Sequence, residues 1–542
     1  MGDRRGRVKP LHGLMLLAVA AAGAAQSLAM VHTAAWPLPL LAITLLAWCV
    51  GGASPRQAAL LGWSFGCAWL GAATWWLYIS LHRYGGLPAP LAVVAVALLA
   101  ALLSIYLALG MAWVARQHRG RPLVDATRFA AAWLAAELAR AVIFTGFPWA
   151  ATGYSQVDGP LAVLAPWVGV YGLGALVAWV AAVVGLALRA RQANGWKRAP
   201  VGLALGLAVL ALPAAWAAWR GAPDFTRPTG TLRVTLLQTN VAQDEKFADQ
   251  HLPASLAWVA TALTTARADL VVAPETAVPL LPEQLAELTP GYWRALQRHF
   301  GQPGGPVALV GVPLGSLQSG YTNSVVGLSP ATAGTPATDP GAGFRYDKTH
   351  LVPFGEFIPT GFRWFTAMMN IPLGDFNRGP ARPPSFVVRG ERVAPNICYE
   401  DLFGEELARR FADGASAPTV LANVGNIGWF GNTIAVPQHL LVSRLRSLEL
   451  QRPMLRATNT GATAVIDHRG VVTAQLPPFT RGVLNATVQG RTGLTPFARW
   501  AAVAGLWPLW ALAALGLLWP AGKLGWHGRS GQDRRHRPRS AR

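Results

Sequence analysis

Eight long apolar stretches decide what this chain can fold into. Seven lie in the first 219 residues, at about 11–31, 36–52, 58–81, 89–115, 129–145, 161–188 and 201–219, and the eighth at about 498–520. Most approach the roughly 20 residues that a helix needs to cross a bilayer, where every backbone polar group must be satisfied within the segment. The pattern predicts a seven-span helix bundle over 1–219, a region outside the membrane over 220–497, an eighth span over 498–520 and a basic tail over 521–542.

The net charge of +21 invites a nucleic-acid reading, so its location matters. Arg4, Arg5, Arg7, Lys9, Arg56, Arg116, Arg119, Arg121, Arg128, Arg189, Arg191, Lys197, Arg198 and seven residues from Lys523 to Arg542 flank the apolar segments, against only Asp3, Asp125 and Asp533. Most of the excess is therefore a topology signal and not a nucleic-acid patch. With the N-terminus in the cytoplasm, all of these cations are cytoplasmic, and the opposite loops at about 32–35, 82–88 and 146–160 carry only Arg83. Seven crossings then place 220–497 outside the cytoplasm. A cleaved signal peptide ending near Ser27-Leu28-Ala29 is the disfavoured alternative, because its removal gives the charge asymmetry the wrong parity. Glu137 and Arg140, three residues apart in the fifth segment, read as a mutually neutralising pair in preference to an ion pathway.

After Gly221-Ala222-Pro223 short β-rich runs alternate with helical patterns. Strands are expected at Leu232–Gln238, Asp269–Ala273, Val307–Val312, Asn323–Leu328, Ser385–Val388, Thr419–Asn423, Leu455–Asn459 and Ala464–Asp467, and helices at about 249–267, 282–300, 401–413 and 437–450. This alternation argues for one α/β domain. Residues 329–343 read as a flexible loop, and neither a metal-ligand cluster of usual spacing nor a glycine-rich nucleotide loop stands out.

Within that domain Cys398 is the lone cysteine, since Cys49 and Cys67 lie in apolar segments. It stands between a strand that includes Val393 and an acidic helical pattern from Glu400 to Phe411, so it is expected at a strand-to-helix elbow. Such an elbow projects the side chain clear of the sheet, and the positive end of the following helix is expected to lower the thiol pKa. A small buried hydrophobe is the competing reading of any single cysteine.

Glu275 follows directly on the strand Asp269–Ala273 and is a candidate general base, with a helix cap or a salt bridge as the alternative. Lys348 is more informative: of 46 basic residues only Lys9, Lys197, Lys246, Lys348 and Lys523 are lysine, so a compact point charge at 348 suggests a task. An ammonium there would hold a thiolate and then an oxyanion. Lys246 has no evident role. Glu356 and Glu400 are further acids, each either orienting Lys348 or forming a structural ion pair.

Taken together, Pro274-Glu275, the run from Asp347-Lys348-Thr349-His350 to Pro353-Phe354-Gly355-Glu356, and Asn396-Ile397-Cys398-Tyr399-Glu400 resemble the nitrilase superfamily. With apolar spans at both ends, the chain resembles in particular its membrane-embedded branch, the apolipoprotein N-acyltransferase family. The resemblance implies an αββα sandwich inserted between the transmembrane helices, in the periplasm of a bacterium and anchored in its inner membrane. It implies Glu275 as general base, Lys348 as oxyanion stabiliser and Cys398 as nucleophile, with Glu356, Tyr399 and Glu400 in supporting positions. Asn426-Ile427-Gly428-Trp429-Phe430-Gly431 is similar to the family's Asn-Asp-Ala-Trp-Phe-Gly, with Ile427 where an acid is common. Trp429 and Phe430 read equally as pocket wall or as packing. The implied reaction takes an acyl chain from a phospholipid donor, through a thioester, to the N-terminal amine of a diacylglyceryl-cysteine lipoprotein acceptor, in a monomer without cofactor or metal.

The stretch 357–376 holds Phe357, Ile358, Phe362, Trp364, Phe365, Met368, Met369, Ile371, Leu373 and Phe376 but is broken by Pro359, Gly361, Pro372 and Gly374. It is expected to dip into the membrane interface beside the site, with a core segment as the alternative. Two other functions stay open on the residues alone. One is a membrane-tethered amidase or nitrilase; the other is a transporter or lipid-binding protein with an inactive nitrilase-like domain.

Overall fold

The computed structural model describes residues 10–194, 199–332, 334–336, 338–361, 363 and 376–519. Helices occupy Pro10–Gln26, Pro37–Val50, Pro55–Thr74, Ala89–Leu103 with Ile105–Arg116, Pro122–Val142, Ala165–Asn194 and Ala199–Arg220. Proline opens several of them, where its missing N–H costs no helical hydrogen bond. Five helices among the described residues are long and apolar enough to cross a membrane, and Pro55–Thr74 and Pro122–Val142 are not among them.

Two expectations need correction here. The fifth segment begins at Pro122, not near 129, because Asp125 accepts the backbone N–H of Arg119 and of Arg121 at 3.1 and 3.0 Å and so builds its polar residues into the helix start. The eighth stretch is no straight span: Pro496–Ala504 and Trp507–Leu518 meet at 92° around Gly505, whose φ of +55° ends the first helix before Pro508 opens the second.

Polar contacts sort the ends of the bundle. Arg83 pairs with Asp244 at 2.9 Å and Asp158 with Arg444 at 2.6 Å, so the loops near 83 and 158 lie against the α/β domain. At the other end Arg189 donates to the Trp48 carbonyl and Arg128 to the Trp519 carbonyl, each at 3.0 Å. Glu137 and Arg140 sit 3.9 Å apart; Glu137 accepts from Thr152 N and Oγ1 at 2.8 Å, and Arg140 donates to the carbonyls of Phe147 and Trp149. The pair thus anchors the loop 146–152.

The α/β domain contains β1 (Thr226–Gln238), β2 (Leu270–Val272), β3 (Val307–Ser316), β4 (Gly320–Leu328), β5 (Arg345–Asp347), β6 (Phe386–Val388), β7 (Glu391–Ile397), β8 (Val420–Gly425), β9 (Met454–Thr458), β10 (Ala464–Ile466), β11 (Val472–Gln475) and β12 (Gly482–Gly493). They form two six-stranded sheets, ordered β12-β1-β2-β3-β4-β5 and β11-β10-β9-β8-β7-β6. Each has three central parallel strands, β1-β2-β3 and β7-β8-β9, flanked by antiparallel ones.

Alternate residues of the two sheets meet in one apolar layer that includes Val234, Leu236, Val272, Leu309, Val393, Ile397, Ala422 and Leu455. Leu252–Thr265, Pro282–Leu288 and Tyr292–Phe300 cover the outer face of the first sheet. Gly404–Ala408 and Pro496–Ala504 cover part of the second. Ala435–Leu450 buries Leu441, Val442 and Leu445 against the membrane bundle. The result is the expected αββα arrangement.

The helix expected over 282–300 splits at Gly291, which has a φ of +86°. That over 401–413 is a tight turn Cys398–Leu402, a short helix Gly404–Ala408 and another turn, because Phe403 (φ −103°, ψ 78°) leaves helical geometry. In 329–343 the regular structure is one turn, Pro330–Thr332, among the described residues. Of the arm 357–376, residues 362 and 364–375 lie outside the described residues.

Candidate active site

The ends of the central parallel strands point to one place, as open α/β sheets direct their ligand crevices. Glu275 lies three residues beyond the end of β2, on a turn stitched to β3 by Ala273 N to Leu309 O (2.8 Å) and Val278 N to Gly311 O (3.1 Å). A Cβ on Gly311 would stand 2.2 Å from the Pro274 carbonyl, so only glycine lets the turn come this close. Lys348 follows β5 and bonds through its backbone N–H to Asn323 O at 2.8 Å.

Lys348 Nζ is buried, 2.9 Å from Glu356 Oε1 and 3.6 Å from Glu275 Oε1. Asn323 Nδ2 bridges the same two oxygens at 2.6 and 2.8 Å. The flanking carboxylates outweigh the burial that opposes them and hold the Lys348 ammonium well above the usual lysine pKa. This cation is fixed.

Cys398 immediately follows β7 with a φ of +51°, the left-handed region that a residue with a Cβ rarely adopts. The backbone N–H of Asn426, just after β8, and the charges of Glu275 and Lys348 all act on its sulfur. The expected low thiol pKa is overturned. Burial first and the Glu275 charge second push the thiol up, with Lys348 pulling against them. The turn behind it, five residues long, is too short to supply the expected dipole.

Glu400 is a clamp that does not touch Lys348. It accepts Ile397 N at 2.6 Å and Tyr346 Oη at 2.6 Å on one oxygen, and Thr349 N at 2.6 Å and His350 N at 3.1 Å on the other. It thereby locks the cysteine strand to the lysine loop, while burial raises its pKa. Glu356, by contrast, does orient Lys348, and its second oxygen accepts Val352 N at 2.8 Å.

Several residues had no signal in the pattern. Behind the nucleophile, Asp401 accepts from His439 Nε2 (2.9 Å), Ser443 Oγ (2.5 Å) and Arg456 Nη1 (3.3 Å). Arg456 Nη2 donates to His439 Nδ1 at 2.7 Å, so the ring proton sits on Nε2, which also faces the Cys398 carbonyl at 3.2 Å. Asn423 Nδ2 donates to that carbonyl at 3.2 Å. Lys246, without a task in the sequence, is buried with its Nζ bonded to the Glu275 carbonyl and to Thr276 Oγ1. Its rarity in an arginine-rich chain was the one signal available. Among the described residues no group of three or more His, Cys, Asp or Glu is arranged to hold a metal ion.

Two matches to known families tile the chain. Residues 22–183 match the N-terminal domain of apolipoprotein N-acyltransferase, and residues 233–497 match the carbon-nitrogen hydrolase family. An apolipoprotein N-acyltransferase of Verminephrobacter eiseniae is 52% identical over 495 residues, covering 87% of this chain and 89% of that protein. The chain belongs to the apolipoprotein N-acyltransferase family. An apolipoprotein N-acyltransferase of Ralstonia nicotianae is 46% identical over 513 residues, 92% of each chain. A carbon-nitrogen hydrolase crystal structure from Helicobacter pylori G27 aligns with a TM-score of 0.35 at 14% identity, over 48% of this chain and 89% of that one.

For an apolipoprotein N-acyltransferase the departure at Ile427 has a physical reason: its side chain is buried in an apolar patch with Val436 and Ala462, against Cys398 and Phe430. The flanking aromatics of this family member meet the bundle. The Trp429 ring lies 5.6 Å from Tyr84 and the Phe430 ring 4.3 Å from Trp76. Tyr399 also turns that way, its hydroxyl donating to the Gly146 carbonyl at 3.0 Å.

Proposed function

We propose that the protein N-acylates lipoproteins by a ping-pong transfer on Cys398. Glu275 accepts the thiol proton as the sulfur attacks a phospholipid ester carbonyl, and Lys348 stabilises the oxyanion. The carbon–oxygen bond breaks, Glu275 returns the proton to the leaving lysophospholipid oxygen, and a thioester remains. The neutral α-amine of a diacylglyceryl-cysteine then attacks. Glu275 takes a proton from the nitrogen, the carbon–sulfur bond breaks, and the sulfur is reprotonated.

The observation that carries this reading is the placement of Lys348 Nζ between Glu275 and Glu356, with its charge and that of Glu275 acting on Cys398. The elbow's attachment to the bundle through Tyr399 and Gly146 supports a substrate drawn from the bilayer. A raised thiol keeps its proton until attack, and Glu275 is the carboxylate whose charge acts on that sulfur, which supports it as the proton acceptor.

The charge asymmetry supports seven spans before the domain and one after it, bent at Gly505, with residues 220–497 on the periplasmic side of the inner membrane. The arm 357–376 starts at Glu356 and returns to it, since Phe376 N donates to the Glu356 carbonyl at 2.9 Å.

The test supplies purified protein with a phospholipid bearing a tagged acyl chain and a synthetic diacylglyceryl-cysteine peptide. Amide-linked label on the peptide is expected. Ammonia release from small amides without acyl transfer would replace this reading with an amidase, and full transfer by Cys398→Ala would remove Cys398 as nucleophile.

A further inference from the structure

Among the described residues, Lys246 is a buried cation at the site that the reaction above does not use. It lies on the loop after β1, just beyond Gln243, which accepts from Asn426 Nδ2 at 2.9 Å, and Asp244, which pairs with Arg83 of the bundle. Its Nζ donates to the Glu275 carbonyl at 3.1 Å and to the Thr276 hydroxyl. Thr276 has a φ of +46°, a conformation that a β-branched residue adopts only when its surroundings hold it there. The turn that aims Glu275 is therefore tied down by this side chain.

Charge makes the second half of the argument. Three buried acids, Glu275, Glu356 and Glu400, lie among Lys348, Lys246 and Arg410, whose charge acts with that of Glu400, while Asp401 and Arg456 balance each other behind Cys398. Moving a proton from sulfur to Glu275 preserves that balance. Neutral Lys246 would leave one buried negative charge in excess, opposing both thiolate and oxyanion. Lys348, held by two carboxylates, cannot lose its proton in the physiological range. Lys246 meets a carbonyl and a hydroxyl instead.

We propose that Lys246 is a positioning residue that pins the Glu275–Thr276 turn, and that its protonation sets the alkaline limit of Cys398 acylation. The proposal rests on the acyl-transfer reading above. Burial lowers Lys246 from the usual lysine value to about 8, against the upward pull of Glu275 and Cys398. Its charge is present below that pH and lost above it, so acylation falls as pH rises through about 8.

The experiment compares the wild type, Lys246→Arg and Lys246→Met as full chains in detergent, with thermal melting to confirm folding. The rate of Cys398 labelling by an acyl-tagged phospholipid is read across pH 6 to 10. Lys246→Arg should keep the neutral-pH rate within roughly 10-fold and move the alkaline fall up by about 1 pH unit or more, because a guanidinium stays charged. Lys246→Met should be slower by roughly 10-fold or more at neutral pH. A wild-type alkaline fall in Lys246→Arg, or an unchanged rate in Lys246→Met, would overturn the proposal. Alkylation of Cys398 by iodoacetamide gives a readout independent of acyl transfer. Slower alkylation in Lys246→Met than in Lys246→Arg would uphold the role of Lys246 even if no variant were acylated, a result that would instead sink the acyl-transfer reading.

Discussion

Asn323 donates its side-chain amide to Glu275 Oε1 at 2.6 Å, shorter than the 3.6 Å that separates Lys348 Nζ from the same oxygen. Because the amide also reaches Glu356 at 2.8 Å, one neutral residue on β4 holds two buried carboxylates in a single geometry around the lysine. Asn323→Ala is expected to slow acyl-enzyme formation by roughly 100-fold, the scale of a small misplacement of reacting groups. Asn323→Asp should be worse, since a third acid would crowd the same oxygens. Single-turnover labelling of Cys398 checks both, and rates within about 3-fold of wild type would count against the bridge.

Glu400 carries a different prediction because its partners are mostly backbone. Glu400→Ala removes the acceptor of three N–H groups and the Tyr346 phenol, and each buried donor left unpaired costs about 1–3 kcal/mol. The melting temperature should fall sharply, and the lysine loop should become more accessible to protease. Glu400→Gln retains one oxygen acceptor and should fall between the alanine variant and wild type.

Stability should also depend on pH through Glu405, which burial first and Glu406 second raise from 4.5 to about 7. The folded state then binds more protons than the unfolded state between those two values, so stability falls as pH rises through that window. The cost at full ionisation is on the order of 3 kcal/mol. Glu405→Gln should flatten the dependence of melting temperature on pH between about 4.5 and 7; an unchanged slope would show that Glu405 does not titrate there.

Much of the architecture could be read from pattern because apolar length and strand alternation are local properties. The Glu275 and Cys398 stretches were legible because each follows a strand whose β-branched residues announce it, and Lys348 because lysine is rare in this chain; the structure brings all three to one place. What escaped depends on contacts between distant segments. β12 returns to pair with β1 across more than two hundred residues, and its small half-exposed residues give little local signal. Asn323 sits inside an ordinary strand, and only the approach of two acids gives it a task. The direction of the Cys398 shift was misread because burial is set by distant segments, Ile427, Val436 and Ala462 among them, which no helix start reveals. Phe403 and Gly505 likewise look like ordinary helix positions until their neighbours bend the chain.

The account stands on a covalent acyl group at one sulfur. Intact-mass and peptide mass spectrometry of the purified protein, incubated with phospholipid and without acceptor, should show one added acyl mass on Cys398 that hydroxylamine removes and that Cys398→Ala lacks. An acyl mass retained in Cys398→Ala, or transfer of label to the lipopeptide with Cys398 never modified, would contradict it.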